Sequence, residues 1–424
     1  MKKKIKKKIC IIGLGYVGLP LALEFSKKLF VVGFDISKSR IDQLKKNDDI
    51  SREIERREIA KSKNILFSNK ISDIKKCTIF IITVPTPVDS NNIPDLSFLK
   101  RASKLVGKVL KKKDTVIFES TVYPGATEEV CIPILEKYSK LNINSDFFVG
   151  YSPERINPGD KKRKINNISK VISGSNKEAL SILYDLYKLI INKKIYKAQT
   201  IKIAEAAKVI ENTQRDLNIA LFNELSQLFS LLDIDTQSVI KAASTKWNFH
   251  KYSPGLVGGH CIGVDPYYLT HKAKQVGFFP QIILAGRGVN EGMAQYIASK
   301  TAKKLLEKEI NPIKSKVLVI GITFKENCSD IRNSKVFDLI KQLQLFGMIV
   351  DIYDPIANLP TKIKNKYNFI NNPRSGYYDV IIFAVPHNEI LRLGYGKITS
   401  WAKKLRVILD LKSKFAINKS DIRM

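Results

Sequence analysis

Near its start the chain reads Ile9-Cys-Ile-Ile-Gly13-Leu-Gly15-Tyr-Val-Gly18, and the fold prediction begins from this segment. Its apolar half predicts a buried strand, and a helical pattern follows Gly18. The glycines at 13, 15 and 18 allow a tight turn and the close approach of a pyrophosphate to the helix N-terminus. A second predicted strand ends at Asp35, which can accept hydrogen bonds from a ribose 2′-OH and so favours NAD over NADP. The pattern predicts a dinucleotide site; the alternative is a strand–helix turn without a ligand.

The rest of the chain predicts an α/β, then helical, then α/β order. Strands alternating with helices indicate parallel, doubly wound sheets. A pattern poor in glycine and proline predicts one long helix from about Thr200 to Leu232. We therefore expect two Rossmann-like domains, at 1–199 and 311–424, joined by a helical domain at 200–310. The further strand candidates are 77–84, 115–118, 147–150, 316–321, 349–353, 379–385 and 406–411.

Composition excludes several classes of protein. A hydrophobic content of 44% indicates a folded chain rather than a disordered one. No apolar run reaches the length of about 18 residues that a membrane helix needs. The basic segment Met1–Lys8 leads directly into the first strand, so we interpret it as a tail rather than a secretion signal.

The net charge of +32 permits a polyanionic partner such as nucleic acid. The lysines are spread along the whole chain, however, which favours a general bias at solvent-facing positions.

The cysteines and histidines set further limits. Five scattered cysteines form no paired spacing, which predicts a reducing cytoplasm. Cys10 and Cys77 lie in or beside apolar strands and are expected in the core. Four dispersed histidines are too few for a metal site, so no metal is expected.

The segment Gly258-Gly-His-Cys261-Ile-Gly-Val-Asp265 holds the candidate nucleophile. Its glycines permit close approach of a ligand, and a nearby cation would stabilise the nucleophilic thiolate of Cys261. The alternative is a buried structural thiol. The flanking glycines and the Asp265-Pro266 pair favour a structured reactive loop.

Other candidate residues follow predicted strands or share one face of the long helix. Thr86, Thr121 and the Glu154-Arg155 pair lie in loops after strands, where ligands bind in such sheets. Lys208, Asn212 and Arg215 are spaced i, i+4 and i+7, which places them on one stripe of the helix. That stripe is either a solvated face or the partner of the Cys261 loop. Lys325 and Arg332 belong to a later loop that can meet phosphates or a cofactor.

In combination these motifs resemble the UDP-glucose/GDP-mannose dehydrogenase family from about Lys8 to Lys412. The motifs are GLGYVG, STVYPG, YSPERINPG, AAKVIEN, GGHCIGVDPYYL and GITFKENCSDIRNS. They look most like the branch that oxidises UDP-N-acetylhexosamines, UDP-GlcNAc or UDP-GalNAc, for bacterial surface polysaccharides. The resemblance implies oxidation of a sugar C6 alcohol to a carboxylate with reduction of two NAD⁺, in a cytoplasmic dimer or higher homo-oligomer.

The resemblance also implies a role for each matched residue. Cys261 would capture an aldehyde as a thiohemiacetal, and the second oxidation would give a thioester that water hydrolyses. Lys208 and Asn212 would steady the oxyanion, and Asp265 would orient Lys208 or a water. Glu154 would be the base for hydrolysis, helped by Thr121. The implied NAD contacts are Gly13, Gly15, Tyr16, Val17, Gly18, Asp35, Arg40, Thr86, Thr121 and Arg332. The implied substrate contacts are Arg155, Ile156, Lys208, Asn212, Arg215, Gly258, Phe324 and Lys325.

Some alternatives remain open. Many relatives carry an arginine for the substrate where this chain has Asp410-Leu-Lys412, so that contact is unassigned. The same chemistry on UDP-glucose or GDP-mannose is the nearest rival activity. A non-catalytic sugar-nucleotide sensor and a basic nucleic-acid-binding protein are rivals of other classes. The gluco and galacto epimers differ in one hydroxyl, and the sequence does not choose between them.

Overall fold

The computed structural model describes residues 8–49, 54–156 and 163–424. Most of the predicted basic tail, and the Asn157-Pro-Gly159 end of the YSPERINPG motif, lie outside these residues. The chain forms two compact units. The first comprises Met1–Glu211 and Tyr267–Phe279, and the second comprises Asn212–Pro266 and Pro280–Met424. Each unit is built around its own sheet.

The first unit contains an eight-stranded sheet. Its strands are β1 (Ile9–Ile12), β2 (Val31–Phe34), β3 (Ile65–Ser68), β4 (Ile79–Ile82), β5 (Thr115–Phe118), β6 (Phe148–Tyr151), β7 (Lys170–Gly174) and β8 (Ile195–Lys197). Its helices are α1 (Gly18–Ser26), α2 (Lys38–Lys45), α3 (Arg56–Lys61), α4 (Ile71–Ile74), α5 (Ser97–Gly107), α6 (Ile132–Ser139) and α7 (Lys177–Tyr187). A π-helical turn, Thr127–Cys131, leads into α6.

The strand order of this sheet is β3-β2-β1-β4-β5-β6-β7-β8. The first six strands are parallel and follow the doubly wound order of dinucleotide-binding folds. The central strands are apolar and buried on both faces, as parallel strands covered by helices must be. Strand β7 instead pairs antiparallel with β6. This pair departs from the otherwise parallel arrangement of the sheet, and the sequence did not predict β3, β7 or β8.

The second unit contains a six-stranded sheet whose pairs are all parallel. Its order, β11-β10-β9-β12-β13-β14, repeats the doubly wound order of the first sheet. Its strands are β9 (Lys316–Ile320), β10 (Ile349–Tyr353), β11 (Asn368–Phe369), β12 (Tyr378–Phe383), β13 (Ala402–Asp410) and β14 (Ile422–Arg423). Helices α12 (Val336–Leu345), α13 (Thr361–Lys364) and α14 (Asn388–Thr399) connect them.

The helical middle of the chain contains α8 (Ile201–Leu231), α9 (Thr236–Ala243), α10 (Asp265–Gln275) and α11 (Gln281–Glu307). The single long helix predicted from Thr200 to Leu232 is confirmed as α8, which ends one residue inside each predicted limit. The boundary between the compact units falls within α8 and again on either side of 267–279. The division into three domains at 199/200 and 310/311 stays a prediction.

The α/β prediction with two doubly wound sheets is confirmed. Cys10 and Cys77 are buried as expected. Helices α1 and α7 contribute Leu21, Phe25 and Leu183 to the apolar cluster against β1.

Among the described residues, no helix has the combined length and apolar character needed to cross a membrane.

The glycine-rich turn generates a stability prediction. A Cβ on residue 18 would lie 1.8 Å from the carbonyl oxygen of Gly13 and 2.5 Å from Thr83 Oγ1. We expect Gly18→Ala to lower the free energy of unfolding by about 1–3 kcal/mol, or more if the helix must shift. Urea unfolding of the protein without ligand measures this. The matched control is Gly15→Ala, where a Cβ meets nothing within 4 Å. Equal stability of the two variants would contradict this packing argument.

Candidate active site

The glycine-rich turn is shaped to accept a dinucleotide. Gly13 follows β1 with φ of +94°, a conformation that other residues rarely adopt. The space beside Gly15 is open, and no side chain caps the first turn of α1. A helix N-terminus without a side-chain cap presents donors and a positive dipole end to an anion. The turn therefore fits a pyrophosphate, as the sequence predicts.

Asp35 and Arg40 both hold this turn. Asp35 accepts hydrogen bonds from the N–H groups of Leu14 and Ser37, each at 2.9 Å. Arg40 Nε donates to the carbonyl oxygen of Leu14 at 2.9 Å, and its Nη2 pairs with Asp49. Nη1 of Arg40 is buried and makes no hydrogen bond within the part of the chain that the structure describes. A ribose hydroxyl would satisfy this donor.

Thr86 and Thr121 are brought together at the carboxyl ends of β4 and β5. Thr86 Oγ1 donates to the carbonyl oxygen of Thr121 at 2.6 Å. The phenol of Tyr268 donates to the carbonyl oxygen of Thr86. The structure thus places both predicted threonines on one edge of the sheet.

Glu205 holds the loop that follows Thr121, and the sequence reasoning missed it. Its carboxylate accepts from the N–H of Gly125 at 2.5 Å and from that of Thr127 at 2.9 Å. Burial raises the pKa of Glu205 to about 7, against the lowering effect of these hydrogen bonds. Its spacing of three residues from Lys208 on α8 was the available signal.

Glu154 lies just beyond β6 and is buried. Its Oε1 accepts from the N–H of Arg155 at 2.6 Å and from that of Ile156. Its Oε2 is buried and has no hydrogen-bond partner among the described residues. A buried carboxylate oxygen without a protein donor is free to bind a water or a substrate group. The guanidinium of Arg155 pairs with Glu211, Nη2 to Oε1 at 2.5 Å.

The helical stripe is not a solvated face at its first two positions. Lys208 and Asn212 on α8 are each only 7% exposed, whereas Arg215 is exposed. Buried lysine and amide groups require polar partners. Asn212 Nδ2 donates to Asp265 Oδ2 at 2.6 Å, so two of the predicted catalytic residues are in direct contact.

Cys261 differs from the other four cysteines because it is partly exposed while they are buried. This partial exposure does not match a fully buried thiol, and the role of Cys261 as a nucleophile stays a prediction. Its carbonyl oxygen accepts from the N–H of Asp265 at 2.8 Å, which closes a turn leading into α10. The candidate nucleophile and the carboxylate are four residues apart in the sequence, and this turn explains the spacing.

The two glycines before Cys261 are required by the protein's own chain. A Cβ on Gly258 would lie 2.4 Å from the carbonyl oxygen of Asn333, and one on Gly259 would lie 2.7 Å from the ring of Phe324. The N–H of Gly259 donates to the Asn333 carbonyl at 3.1 Å. The close approach predicted for a ligand is thus already used to join the loops that carry Cys261 and Phe324.

His260 adds a second link between these loops. Its Nε2 lies 2.9 Å from Asp330 Oδ2. Asp330 also accepts from Arg332 Nη2 at 2.8 Å. Hydrogen bonds from His260 and Arg332 hold the pKa of Asp330 well below its usual range, although burial alone would raise it. Arg332, a predicted NAD contact, is anchored here.

A cavity of about 260 Å³ opens beside this loop in the second unit. Gly258, Phe324 and Lys325, all predicted substrate contacts, line it together with Lys335 and Lys412. Three ammonium groups against one carboxylate, Glu326, favour an anionic ligand.

Lys412 and Lys335 were not among the predicted contacts. Lys412 comes two residues after β13. Because ligands bind beyond the carboxyl ends of parallel strands, this position could have indicated Lys412 from the sequence. Burial lowers the pKa of the Lys412 ammonium. Its position in the cavity supplies a cation in the segment Asp410-Leu-Lys412, whose substrate contact the sequence left unassigned.

A buried histidine holds the loop that carries Phe324 and Lys325. His387 Nδ1 accepts from the N–H of Asn327 at 2.9 Å, and its Nε2 lies 3.2 Å from Asp354 Oδ2. These bonds place the proton on Nε2. Asp354 Oδ2 also accepts from the N–H of Ile322 at 2.7 Å.

Over the described ranges, no group of three or more His, Cys, Asp or Glu side chains is arranged to hold a metal ion.

Comparison with known proteins gives matches along nearly the whole chain. Residues 7–191 match the NAD binding domain of the UDP-glucose/GDP-mannose dehydrogenase family. Residues 202–292 match the central domain of that family, and residues 318–416 match its UDP binding domain. The cofactor turn lies in the first of these matches and the lysine-lined cavity largely in the third.

Individual relatives are similar over the same length. The UDP-N-acetyl-D-glucosamine 6-dehydrogenase of Pseudomonas aeruginosa is 51% identical over 419 residues, covering 98% of this chain and 99% of the relative. The Salmonella typhi protein of the same name is 50% identical, covering 98% of both chains. The solved UDP-D-ManNAc dehydrogenase of Pyrococcus horikoshii is 30% identical with a TM-score of 0.86, covering 98% of both chains.

Glu205 generates a prediction about pH. The folded protein retains the Glu205 proton up to a pH of about 7, whereas an ordinary glutamate loses it near 4.5. The folded state thus binds more protons in this window, and its stability falls as pH rises through it, by up to about 3 kcal/mol. Glu205→Gln should remove this part of the pH dependence of the free energy of unfolding. Glu224→Gln, at an exposed position of the same helix, should retain it. Parallel pH dependences for Glu205→Gln and the wild type would refute the assignment.

Proposed function

The chain belongs to the UDP-glucose/GDP-mannose dehydrogenase family, and from that premise we propose that it oxidises C6 of a UDP-N-acetylhexosamine, UDP-GlcNAc or UDP-GalNAc, to the carboxylate. The family's NAD binding domain is present at residues 7–191, so the enzyme is an NAD-dependent dehydrogenase. The names of the two relatives at 50–51% identity support the N-acetylated sugar. Within the structure, the observation that carries the proposal is the partly exposed Cys261 on the turn whose Asp265 is bonded to Asn212.

The reaction needs one nucleophile and two oxidations. NAD⁺ bound at the glycine-rich turn supplies the hydride acceptor for each oxidation. Cys261 attacks the C6 aldehyde that the first oxidation leaves, and a C–S bond forms to give a thiohemiacetal. The second oxidation converts this adduct to a thioester. Water then adds to the thioester carbonyl, the C–S bond breaks, and the uronate and the thiol are released.

Two sets of side chains serve the separate steps. Lys208 and Asn212 stabilise negative charge on the C6 oxygen, a contribution of about 2.7–4 kcal/mol for one donor in a dry site. Asp265 holds the Asn212 amide through the 2.6 Å hydrogen bond. Glu154 takes the proton of the attacking water, and its Oε2, which has no hydrogen-bond partner among the described residues, supports that role. Thr121 helps to hold this water.

The remaining predicted contacts divide between cofactor and substrate. For NAD we propose the glycine-rich turn with Tyr16 and Val17, then Asp35, Arg40, Thr86, Thr121 and Arg332. For the UDP-sugar we propose Arg155, Ile156, Arg215, Gly258, Phe324 and Lys325, and we add Lys412 because it lines the same cavity. The ammonium groups of Lys325 and Lys412 suit a diphosphate.

We further propose that the protein acts in the cytoplasm as a homodimer or higher homo-oligomer, with the helical segment 200–310 as its dimerisation domain. Exposed leucines on α8 support this assembly, because such apolar surface usually marks an interface. They are Leu221, Leu228 and Leu231.

A substrate panel tests the proposed activity. We expect two NADH per sugar consumed with UDP-GlcNAc or UDP-GalNAc, measured by absorbance against the amount of uronate formed. UDP-glucose and GDP-mannose complete the panel. Turnover of either of these in preference to both N-acetylated sugars would replace the proposed substrate, and no turnover of any nucleotide sugar would defeat the proposal.

Replacement of the nucleophile tests the covalent route. Cys261→Ser should lose steady-state production of the uronate, because a serine hydroxyl is not ionised as a thiol can be and forms no thioester. Chromatography of the nucleotide sugars measures this loss. Cys77→Ala removes a buried thiol at the start of β4 and should retain uronate production. Wild-type turnover in Cys261→Ser would remove this residue from the mechanism.

A further inference from the structure

A buried ion pair lies behind Glu154 in the first unit. Lys170 Nζ is 2.7 Å from Glu119 Oε2, and the two side chains are 5% and 0% exposed. The phenol of Tyr187 donates to the other oxygen of Glu119. Burying two charges costs several kcal/mol per ion, and their attraction offsets this only with good geometry and further hydrogen bonds. Apolar side chains of similar volume would fill the same space, so packing alone does not account for the pair.

The pair joins the two chain segments that carry Thr121 and Glu154. Glu119 directly follows β5 and begins the segment Glu119-Ser120-Thr121. Lys170 Nζ also donates to the carbonyl oxygen of Pro153 at 3.2 Å, one residue before Glu154. A single ammonium group thereby fixes both segments at the carboxyl edge of the sheet.

The direction of β7 explains how Lys170 reaches this edge. Because β7 runs antiparallel to β6, its first residue lies beside the carboxyl end of β6. Ser152 Oγ donates to the carbonyl oxygen of Val171 at 2.8 Å, which secures the same register. In a parallel arrangement the first residue of β7 would lie at the opposite edge.

The backbone around Glu154 binds one of the two carboxylate oxygens of this residue. Oε1 is occupied by the N–H groups of Arg155 and Ile156, and Oε2 has no partner among residues 8–49, 54–156 and 163–424. This arrangement depends on where the chain turns after Pro153, whose carbonyl is bound by Lys170. Burial raises the pKa of the Glu119 carboxyl, and the nearby Glu154 adds to this, while Lys170 opposes it. The charge of Glu119 therefore depends on both of these neighbours.

We propose that Glu119 and Lys170 are positioning residues for the hydrolytic step, holding Pro153 so that Glu154 Oε2 is directed at the attacking water. This inference rests on the proposed function, in which Glu154 accepts the proton of that water. The water oxygen bonds to the thioester carbon, the proton passes to Glu154, and the C–S bond breaks with the electron pair leaving on Cys261. Neither Glu119 nor Lys170 is assigned a contact with NAD or with the sugar, so we expect the preceding hydride transfers to be affected much less than the hydrolysis.

The test separates thioester formation from its hydrolysis. Stopped-flow mixing of the enzyme with NAD⁺ and the substrate found by the panel records a burst of NADH followed by a steady rate. In the double variant Glu119→Gln/Lys170→Met we expect a burst of about two NADH per site at nearly the wild-type rate. We expect the steady rate to fall about tenfold to a hundredfold, because small misplacement of a reacting group costs about that much. Mass spectrometry of the acid-quenched protein should show the acyl adduct on Cys261.

Three further variants calibrate the result. Lys170→Arg retains the charge and donors and should restore most of the steady rate. Lys193→Met removes an exposed lysine of the same unit and should match the wild type in both phases. Tyr187→Phe removes one hydrogen bond to Glu119 and should slow hydrolysis several-fold while leaving the burst unchanged. If the double variant does not fold, the result for Tyr187→Phe decides the matter in the same way.

The outcomes are distinct. A burst slowed as much as the steady rate, or a steady rate equal to the wild type, would overturn the positioning role. Glu154→Gln is the reference for the mechanism itself, because it should show the burst and a slow steady rate whatever the ion pair does. Absence of that behaviour in Glu154→Gln would instead count against the proposed role of Glu154.

Discussion

The loops at the carboxyl edges of the two sheets depend on buried or partly buried polar side chains that bind their backbone. Backbone N–H and C=O groups outside a helix or ladder must find other partners when they are buried. Asp35 supplies such a partner to the glycine-rich turn, Glu205 to the segment after Thr121, and His387 to the loop with Phe324. Each of these side chains is hydrogen-bonded to backbone in or beside a segment that carries candidate site residues. The backbone conformation of each loop therefore depends on the side chain that binds it.

The two sheets have the same arrangement at the connection that follows their first strand. Each has its first strand third from one edge, and a glycine with positive φ follows that strand, Gly13 in the first sheet and Gly321 in the second. Asp35 accepts from the N–H of Leu14, and Asp354 accepts from that of Ile322. The two halves are not close repeats in sequence. They share a topology whose tight strand–loop connection requires the same backbone conformation and the same acceptor.

Local patterns predicted a large part of this structure. The buried apolar strands, the long helix α8 and the glycine-rich turn depend on neighbouring residues. Their hydrophobic periodicity and their glycine positions can therefore be recognised in the sequence. The thiol of Cys261 and the carboxylate of Asp265 were likewise found because one short turn holds both. The antiparallel β7 was not predicted, since strand direction depends on which distant segment provides the hydrogen bonds. For the same reason Lys170 and Glu119, 51 positions apart, showed no signal.

The α/β class, the NAD-type turn, the family and the candidate nucleophile could be predicted from the sequence, because each of these depends on residues close together in the chain. Tertiary packing was needed to show that Cys261 is partly exposed while the other cysteines are buried, and that Asn212 is bonded to Asp265. It alone placed Lys412 in the cavity and Lys170 behind Glu154. Burial and long-range hydrogen bonds arise where separate segments pack, and residue spacing along the chain does not predict them.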